Sequence, residues 1–359
     1  MKNSYSSLLF TTVCLIFLWF TPSHAQIPPQ HKEQTAQIDS FITSTIDSKY
    51  SASVLVSVDG KILLEKGYGW TDSTKRYLTT EKTLFNIASI TKSFTATGIF
   101  ILNQAGRVRL QDSLPKFFSH VPSDKQGITI QQLLLHTSGL RQSYASDGIA
   151  DRDSAVTAIL NDSLKFFPGT DFSYSNLNYE LLGAIIEKVS GNSYEEFVRN
   201  NIHRKANMND TKFWSEGFNL EANNVASMNR ELDSSVLKRN WGYIGSAGIY
   251  TTVSDLNRWF TALMDGKVLD SSSLALMWKP QKQLTTTGIA SGWYVSTTDG
   301  MMELWTRGTE DWGHNAVLRW FEDSKTLVIV LTNSGELGDK SVTGNRIISD
   351  GIVKILFEK

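Results

Sequence analysis

The chain has 359 residues, enough for one large hydrophobic core or two ordinary ones. A hydrophobic fraction of 41% and a charged fraction of 20% are ordinary for a globular protein and exclude a largely disordered chain. The formal net charge of −1 gives no global field for nucleic acid or an anionic membrane, so the expected partner is a small-molecule or peptide substrate.

In chain order, Lys2 supplies a short positive region, and Leu8 to Phe20 is an apolar run too short for a comfortable membrane span. Ser23-His24-Ala25 ends it in the small-residue pattern of a signal-peptidase site, so residues 1–25 read as a signal peptide. The expected location is periplasmic or secreted, with no membrane attachment after cleavage; the alternative is an uncleaved anchor. The single cysteine, Cys14, lies inside this segment without a lipobox, so disulfides, thiolate catalysis and cysteine metal sites drop out of the mature chain together.

Ile27 to Gln34 reads as a polar leader, and Ile38, Phe41, Ile42, Thr45 and Ile46 recur at helical spacing over about residues 34–48. Ser53 to Val58 and Ile62 to Tyr68 are β-rich runs joined by Asp59-Gly60, a hairpin signal. Leu84 to Ile87 leads into Ser89, and Thr95 to Leu102 continues as an apolar helix ending before Gly106. Helical patches follow at Ile130 to Leu135, Tyr179 to Val189 and Tyr194 to Ile202, linked by polar loops. Strand patterns return at Gly292 to Ser296, Met302 to Thr306, Ala316 to Phe321 and Leu327 to Leu331, and a last helix covers about Ile347 to Phe357. This order predicts an α+β fold, an antiparallel β-sheet flanked by helices. The sheet domain covers 26–109 and 241–359, interrupted by a mostly helical domain at 110–240.

Ser89-Ile90-Thr91-Lys92 is an S-x-x-K arrangement, and positions three apart share a helix face, so the lysine amine can sit beside the serine hydroxyl. A partly buried lysine there can take the serine proton, which a free serine needs to become a nucleophile. The pattern recurs at Ser113 to Lys116 and Ser235 to Lys238, but only Ser89 follows an apolar segment and opens a buried helix, whose N-terminal N–H groups and dipole favour developing negative charge. The plainer alternative is that Ser89 is an N-cap. Tyr174-Ser175-Asn176 is the second candidate: a phenol near a lysine can exist partly as phenolate and act as a base, and the amide can orient the lysine or a substrate carbonyl. Its alternative is a turn with an incidental tyrosine.

Other designs lack their signatures. There is no G-x-S-x-G elbow, no H-E-x-x-H or paired histidine spacing, and no phosphate-binding glycine loop, so no metal and no cofactor are expected. His136, before Gly139, reads as structural, and the tryptophans read as core.

Phe85 to Lys92 (FNIASITK) resembles the active-serine segment of the class C β-lactamase-like serine hydrolases, a superfamily that also holds penicillin-binding DD-peptidases, D-aminopeptidases and esterases. Ile128 to Leu140, Pro168 to Gly191 and Gly245 to Phe260 resemble further segments of that family in the same order. The resemblance implies a β-lactamase/DD-peptidase-like fold. It also implies that Ser89 is acylated, that Lys92 and Tyr174 manage its proton, and that Asn176 positions Lys92 and substrate. The Ser89 N–H and an N–H near Glu310 would form an oxyanion hole. The family's third motif, K-T-G or H-x-G, is counted back from Gly313 to Arg307-Gly308-Thr309. Arg307 keeps a cation able to anchor a substrate carboxylate. Thr309 then replaces a glycine where the strand approaches the nucleophile helix, and Glu310 and Asp311 disfavour an anionic ligand. The reading is a serine hydrolase acting on an ester or amide, with Ser89, Lys92 and Tyr174 catalytic and Asn176, Arg307 and Glu310 binding substrate. Its rival is a catalytically silent protein on the same scaffold that recognises peptidoglycan-like peptides.

Overall fold

The computed structural model describes residues 29–46, 51–72, 75–217, 225–226, 239–298, 300–310, 313–333 and 344–358. The expected signal segment, the Ser235 to Lys238 pattern and Asp311 lie outside the described residues. Among the described residues, the α-helices of five or more residues are, in chain order, α1 (Pro29–Thr45), α2 (Thr91–Gln104), α3 (Ile130–Leu134), α4 (Arg152–Asn161), α5 (Asn176–Ser190), α6 (Tyr194–Val198), α7 (Val253–Met264), α8 (Ser271–Trp278) and α9 (Gly344–Phe357). The strands are β1 (Ala52–Val58), β2 (Lys61–Tyr68), β3 (Phe85–Asn86), β4 (Lys212–Phe213), β5 (Ile249–Thr251), β6 (Lys282–Gln283), β7 (Gly288–Ile289), β8 (Tyr294–Thr298), β9 (Met301–Thr309), β10 (Asn315–Phe321) and β11 (Thr326–Thr332).

Eight strands form one antiparallel sheet in the order β2-β1-β11-β10-β9-β8-β7-β6, and β3-β5-β4 form a small second sheet. The β1–β2 turn places Asp59 at φ 49° and Gly60 at φ 73°, the left-handed pair that a tight hairpin requires. The central strands are buried on both faces, which explains why β11 reads as a continuous apolar run. On one face Val54, Val56, Val328 and Val330 pack with Ile38, Ile42, Ile348 and Ile352 of α1 and α9. On the other, Leu55, Leu318, Ile329 and Leu331 join the large core that contains Phe94, Ile185 and Trp259.

The α+β architecture thus agrees with expectation, with differences at the ends of elements. Helix α1 starts at Pro29, inside the stretch expected to be a leader, because proline is well tolerated in a first helical turn. Helix α6 runs on through a π-type turn at Arg199–His203. Helices α4, α7 and α8 were not anticipated as elements; each has a polar N-cap, with Asp151, Thr252 and Asp270 accepting the N–H of Ser154, Asp255 and Ser273. Strand β9 runs to Thr309, while β8 pairs only with Met301 to Trp305. Among the described residues, no strand covers the edge of β9 from Thr306 to Thr309 on the side away from β10. That open edge faces the start of α2.

Candidate active site

The turn that carries Ser89 is fixed from three sides. Strand β3 pairs with β5, and Ile87 N–H donates to the Ile249 carbonyl at 3.0 Å. Asn86 Oδ1 accepts the Ala88 N–H at 2.6 Å, holding Ala88 at φ 44°. The Asn86 N–H donates to His314 Nδ1 at 2.8 Å, while His314 Nε2 donates to the Ala226 carbonyl at 3.0 Å. Burial holds this imidazole neutral, pushing it down to about 4. The chain then passes through a 3₁₀ turn at Ala88–Ile90 into α2. Ser89 makes no cap hydrogen bond, so the N-cap alternative falls away.

Ser89 Oγ instead lies 2.7 Å from the Tyr174 hydroxyl and accepts from Lys92 Nζ at 3.1 Å. Lys92 also donates to the Ser246 carbonyl at 2.9 Å and is only 3% exposed. Burial brings its pKa down to about 7, against the opposing pull of the Glu180 carboxylate. A fraction of Lys92 is therefore an uncharged amine near neutral pH, with its lone pair available for a proton. Burial raises Tyr174 to about 12, opposed by its bond to Ser89 and the charge of Arg307. The resting form of Tyr174 is thus the phenol, not the phenolate anticipated from sequence. The competing Lys116 is half exposed and paired with Asp112 at 2.6 Å, so Ser113 has no amine turned toward it.

Two further residues complete the site. His136, at φ 56°, stacks on the Tyr174 ring at 4.6 Å between centroids. Its Nδ1 accepts the Ser175 N–H and faces the Asn178 amide, both at 3.2 Å, and the Ser138 hydroxyl orients that amide. Burial keeps His136 neutral, down to about 3, so it acts as a fixed acceptor that aims Tyr174. Glu180, one turn beyond Asn176 on α5, is buried, accepts the Ser146 hydroxyl, and is pushed up to about 8 by burial while Lys92 pulls it down. Nothing in the spacing ties Glu180, in mid-helix, to Lys92, so the sequence carries no signal for it.

The binding residues expected from sequence are only partly brought together. Arg307 lines the cleft onto which Ser89 opens. Asn176 donates its N–H to Gln142, and among the described residues its Oδ1 has no hydrogen-bond partner, so it does not contact Lys92 as expected. Glu310 is a correction on two counts. Its N–H donates to the His314 carbonyl at 2.9 Å, and its carboxylate acts on Tyr250, whose phenol is raised by burial first and by this charge second. It does not line the cleft. Because N–H directions alternate along an antiparallel strand, the N–H on the open edge is that of Thr309, one residue earlier.

The same register corrects the third motif. A Cβ on Gly308 would lie 2.1 Å from the Ile87 carbonyl oxygen and 2.8 Å from Ser89 N. Gly308 is therefore the glycine that the close approach demands, and the chain has it. Thr309 is exposed and lines the cleft, so it displaces nothing at the helix.

A model of the Beta-lactamase family matches residues 38–351. Among curated proteins, the chain is similar to Protein flp of Staphylococcus aureus strain MRSA252, 30% identical over 287 residues, covering 74% of this chain and 57% of that one. It is also similar to Penicillin-binding protein 4* of Bacillus subtilis strain 168, 27% identical over 313 residues, covering 80% and 69%. The chain thus spans little more than half the length of the staphylococcal relative. Among solved structures, an octameric penicillin-binding protein homologue from Pyrococcus abyssi superposes with a TM-score of 0.76 at 24% identity, covering 90% of this chain and 77% of that one. The D-amino acid amidase from Ochrobactrum anthropi SV3, complexed with D-phenylalanine, gives 0.75 at 22% identity, covering 89% and 99%. These structures share the fold.

Proposed function

Because the chain belongs to the Beta-lactamase family, we propose that it is an exported serine hydrolase that forms an acyl-enzyme on Ser89 from an ester or amide substrate. The observation that carries this reading is the contact set of Ser89 Oγ, with the Tyr174 hydroxyl at 2.7 Å and Lys92 Nζ at 3.1 Å. Uncharged Lys92 accepts the Ser89 proton as Oγ bonds to the substrate carbonyl carbon. The N–H groups of Ser89 and Thr309 stabilise the oxyanion of the tetrahedral intermediate. As the bond to the leaving group breaks, the Tyr174 phenol donates a proton to it and recovers one from Lys92. Water then attacks the acyl-enzyme by the same proton path in reverse and restores Ser89.

The rival reading, a silent binding protein, rests on the altered third motif at Arg307 to Thr309. Gly308 supplies the close approach of a glycine to the nucleophile turn, which removes Thr309 as a ground for the rival and leaves Arg307 as the motif's departure. A fluorophosphonate probe with intact-mass and peptide mapping tests the proposal. One adduct on Ser89 is expected in the wild type and none in Ser89→Ala; labelling that persists in the variant sinks it.

A further inference from the structure

The cleft onto which Ser89 opens, about 1150 Å³, runs along β8 and β9 and on past β10 to the side of α9 at Ser349, Val353 and Lys354. Tyr294 and Trp305 are direct partners across these two strands, with their rings stacked at 4.5 Å and 21°. The indole N–H of Trp305 donates to Ser296 Oγ at 2.9 Å, which fixes the orientation of the ring. Two residues on, the Arg307 guanidinium lies 5.6 Å from the centre of the Trp305 ring. Tyr294, Trp305 and Arg307 therefore form an ordered ladder on one wall of the cleft, with Phe172 and Ile289 also facing that space. Tyr294 further lines the narrow inner recess that holds Ser89, Lys92 and Tyr174. Arg307 lines that recess too, so both ends of the ladder reach the recess while Trp305 stands in the outer cleft.

Trp214, Trp241, Trp259 and Trp293 are fully buried in the core, whereas Trp305 and Tyr294 stay partly open to the cleft. Apolar surface held open in a concave site gains free energy when a ligand covers it. Tyr294 stacks on the indole and the Arg307 guanidinium stands 5.6 Å from its centre, so the part of this aromatic wall left open to the cleft suits contact with another ring. We infer that the Tyr294–Trp305–Arg307 ladder is a substrate subsite for an apolar, ring-sized group attached next to the scissile carbonyl. The substrates are then esters or amides whose acyl or leaving group is aromatic or bulky aliphatic. This rests on the proposed hydrolase chemistry at Ser89.

The test uses the full chain and two pairs of esters. p-Nitrophenyl phenylacetate against p-nitrophenyl acetate varies the acyl arm, and benzyl acetate against ethyl acetate varies the alcohol arm. The ring-bearing ester is expected to be preferred in kcat/KM by about tenfold in one arm, which also identifies the side that the ladder holds. Trp305→Ala is expected to erase most of that ratio and Trp305→Phe to keep most of it. A ratio measured on one preparation is independent of the fraction folded. Equal rates within both pairs in the wild type, or a ratio that Trp305→Ala leaves intact, overturns the subsite. Absence of turnover for all four esters, together with no Ser89 labelling, overturns the hydrolase reading itself and is thereby distinguished from the first result.

Discussion

Gly308→Ala probes how the sheet and the nucleophile turn fit together. The new Cβ would stand 2.1 Å from the Ile87 carbonyl oxygen, 2.8 Å from Ser89 N and 2.9 Å from the Ala88 Cβ. None of these atoms belongs to a flexible side chain, so no change of rotamer relieves the overlap. Ordinary contact begins near 3.5 Å, so strand and turn must part by about 1 Å. A displacement of that size at a reacting centre costs about 100-fold in rate. The accompanying overpacking costs about 1–3 kcal/mol in stability. Thr309→Gly makes the contrast, since Thr309 is exposed and its N–H survives the substitution. It is expected to cost about 0.5–1 kcal/mol as a glycine in a strand and to change the rate only modestly. The assay is the time course of fluorophosphonate addition to Ser89 by intact mass, paired with urea unfolding of the same preparations. Rapid labelling of Gly308→Ala, with a gain of rate in Thr309→Gly, would refute the register deduced for this strand.

The charge state of Lys92 gives a second expectation. Burial places Lys92 near 7, so the rate of Ser89 labelling rises with pH through about 7 as the amine loses its proton. Glu180, itself pushed up to about 8, is largely protonated where Lys92 titrates, so Glu180→Gln is expected to leave the midpoint in place or move it slightly to lower pH; a midpoint that rises counts against the electrostatic role of Glu180. A third concerns stability. Arg319 is buried and donates to both carboxylate oxygens of Glu303 and to Asp350, so Arg319→Ala strands the buried Glu303 and is expected to cost about 3–5 kcal/mol in urea unfolding, whereas a loss below 1 kcal/mol excludes a load on this network.

Much of this was legible in the sequence because it is local. The hairpin at Asp59-Gly60, the apolar run of β11 and the Ser89–Lys92 spacing are short-range patterns, and the structure has each of them. The spacing alone occurs three times and sequence context singles out Ser89; the structure adds that Lys116 is half exposed and paired with Asp112. Counting back from Gly313 shifts the third motif by one residue, because counting ignores the pairing of Glu310 N–H with the His314 carbonyl, which sets which backbone groups face the nucleophile. His136 reads as structural in the sequence, but what it and His314 hold is not legible there, for a different reason. Their defining contacts reach across 39 and 228 residues, and a neutral buried imidazole leaves no trace in spacing. The two-residue strands β3 and β4 are too short to show any periodicity.

The bond from Asn86 to His314 has a consequence for the order in which the molecule becomes competent. Strand β1 pairs with β11, and the serine turn is fastened to an imidazole that is synthesised 228 residues after its amide partner. Closing loops of this length is slow compared with forming a helix. Helix α2 can therefore form early, with Ser89 and Lys92 already one turn apart, while the oxyanion site still lacks β9 and its fastening. Reactivity at Ser89 thus reports a late stage of folding: a nascent chain that ends before residue 314 carries the nucleophile and its amine, yet lacks the His314 fastening and the β10 pairing that sets the Thr309 N–H.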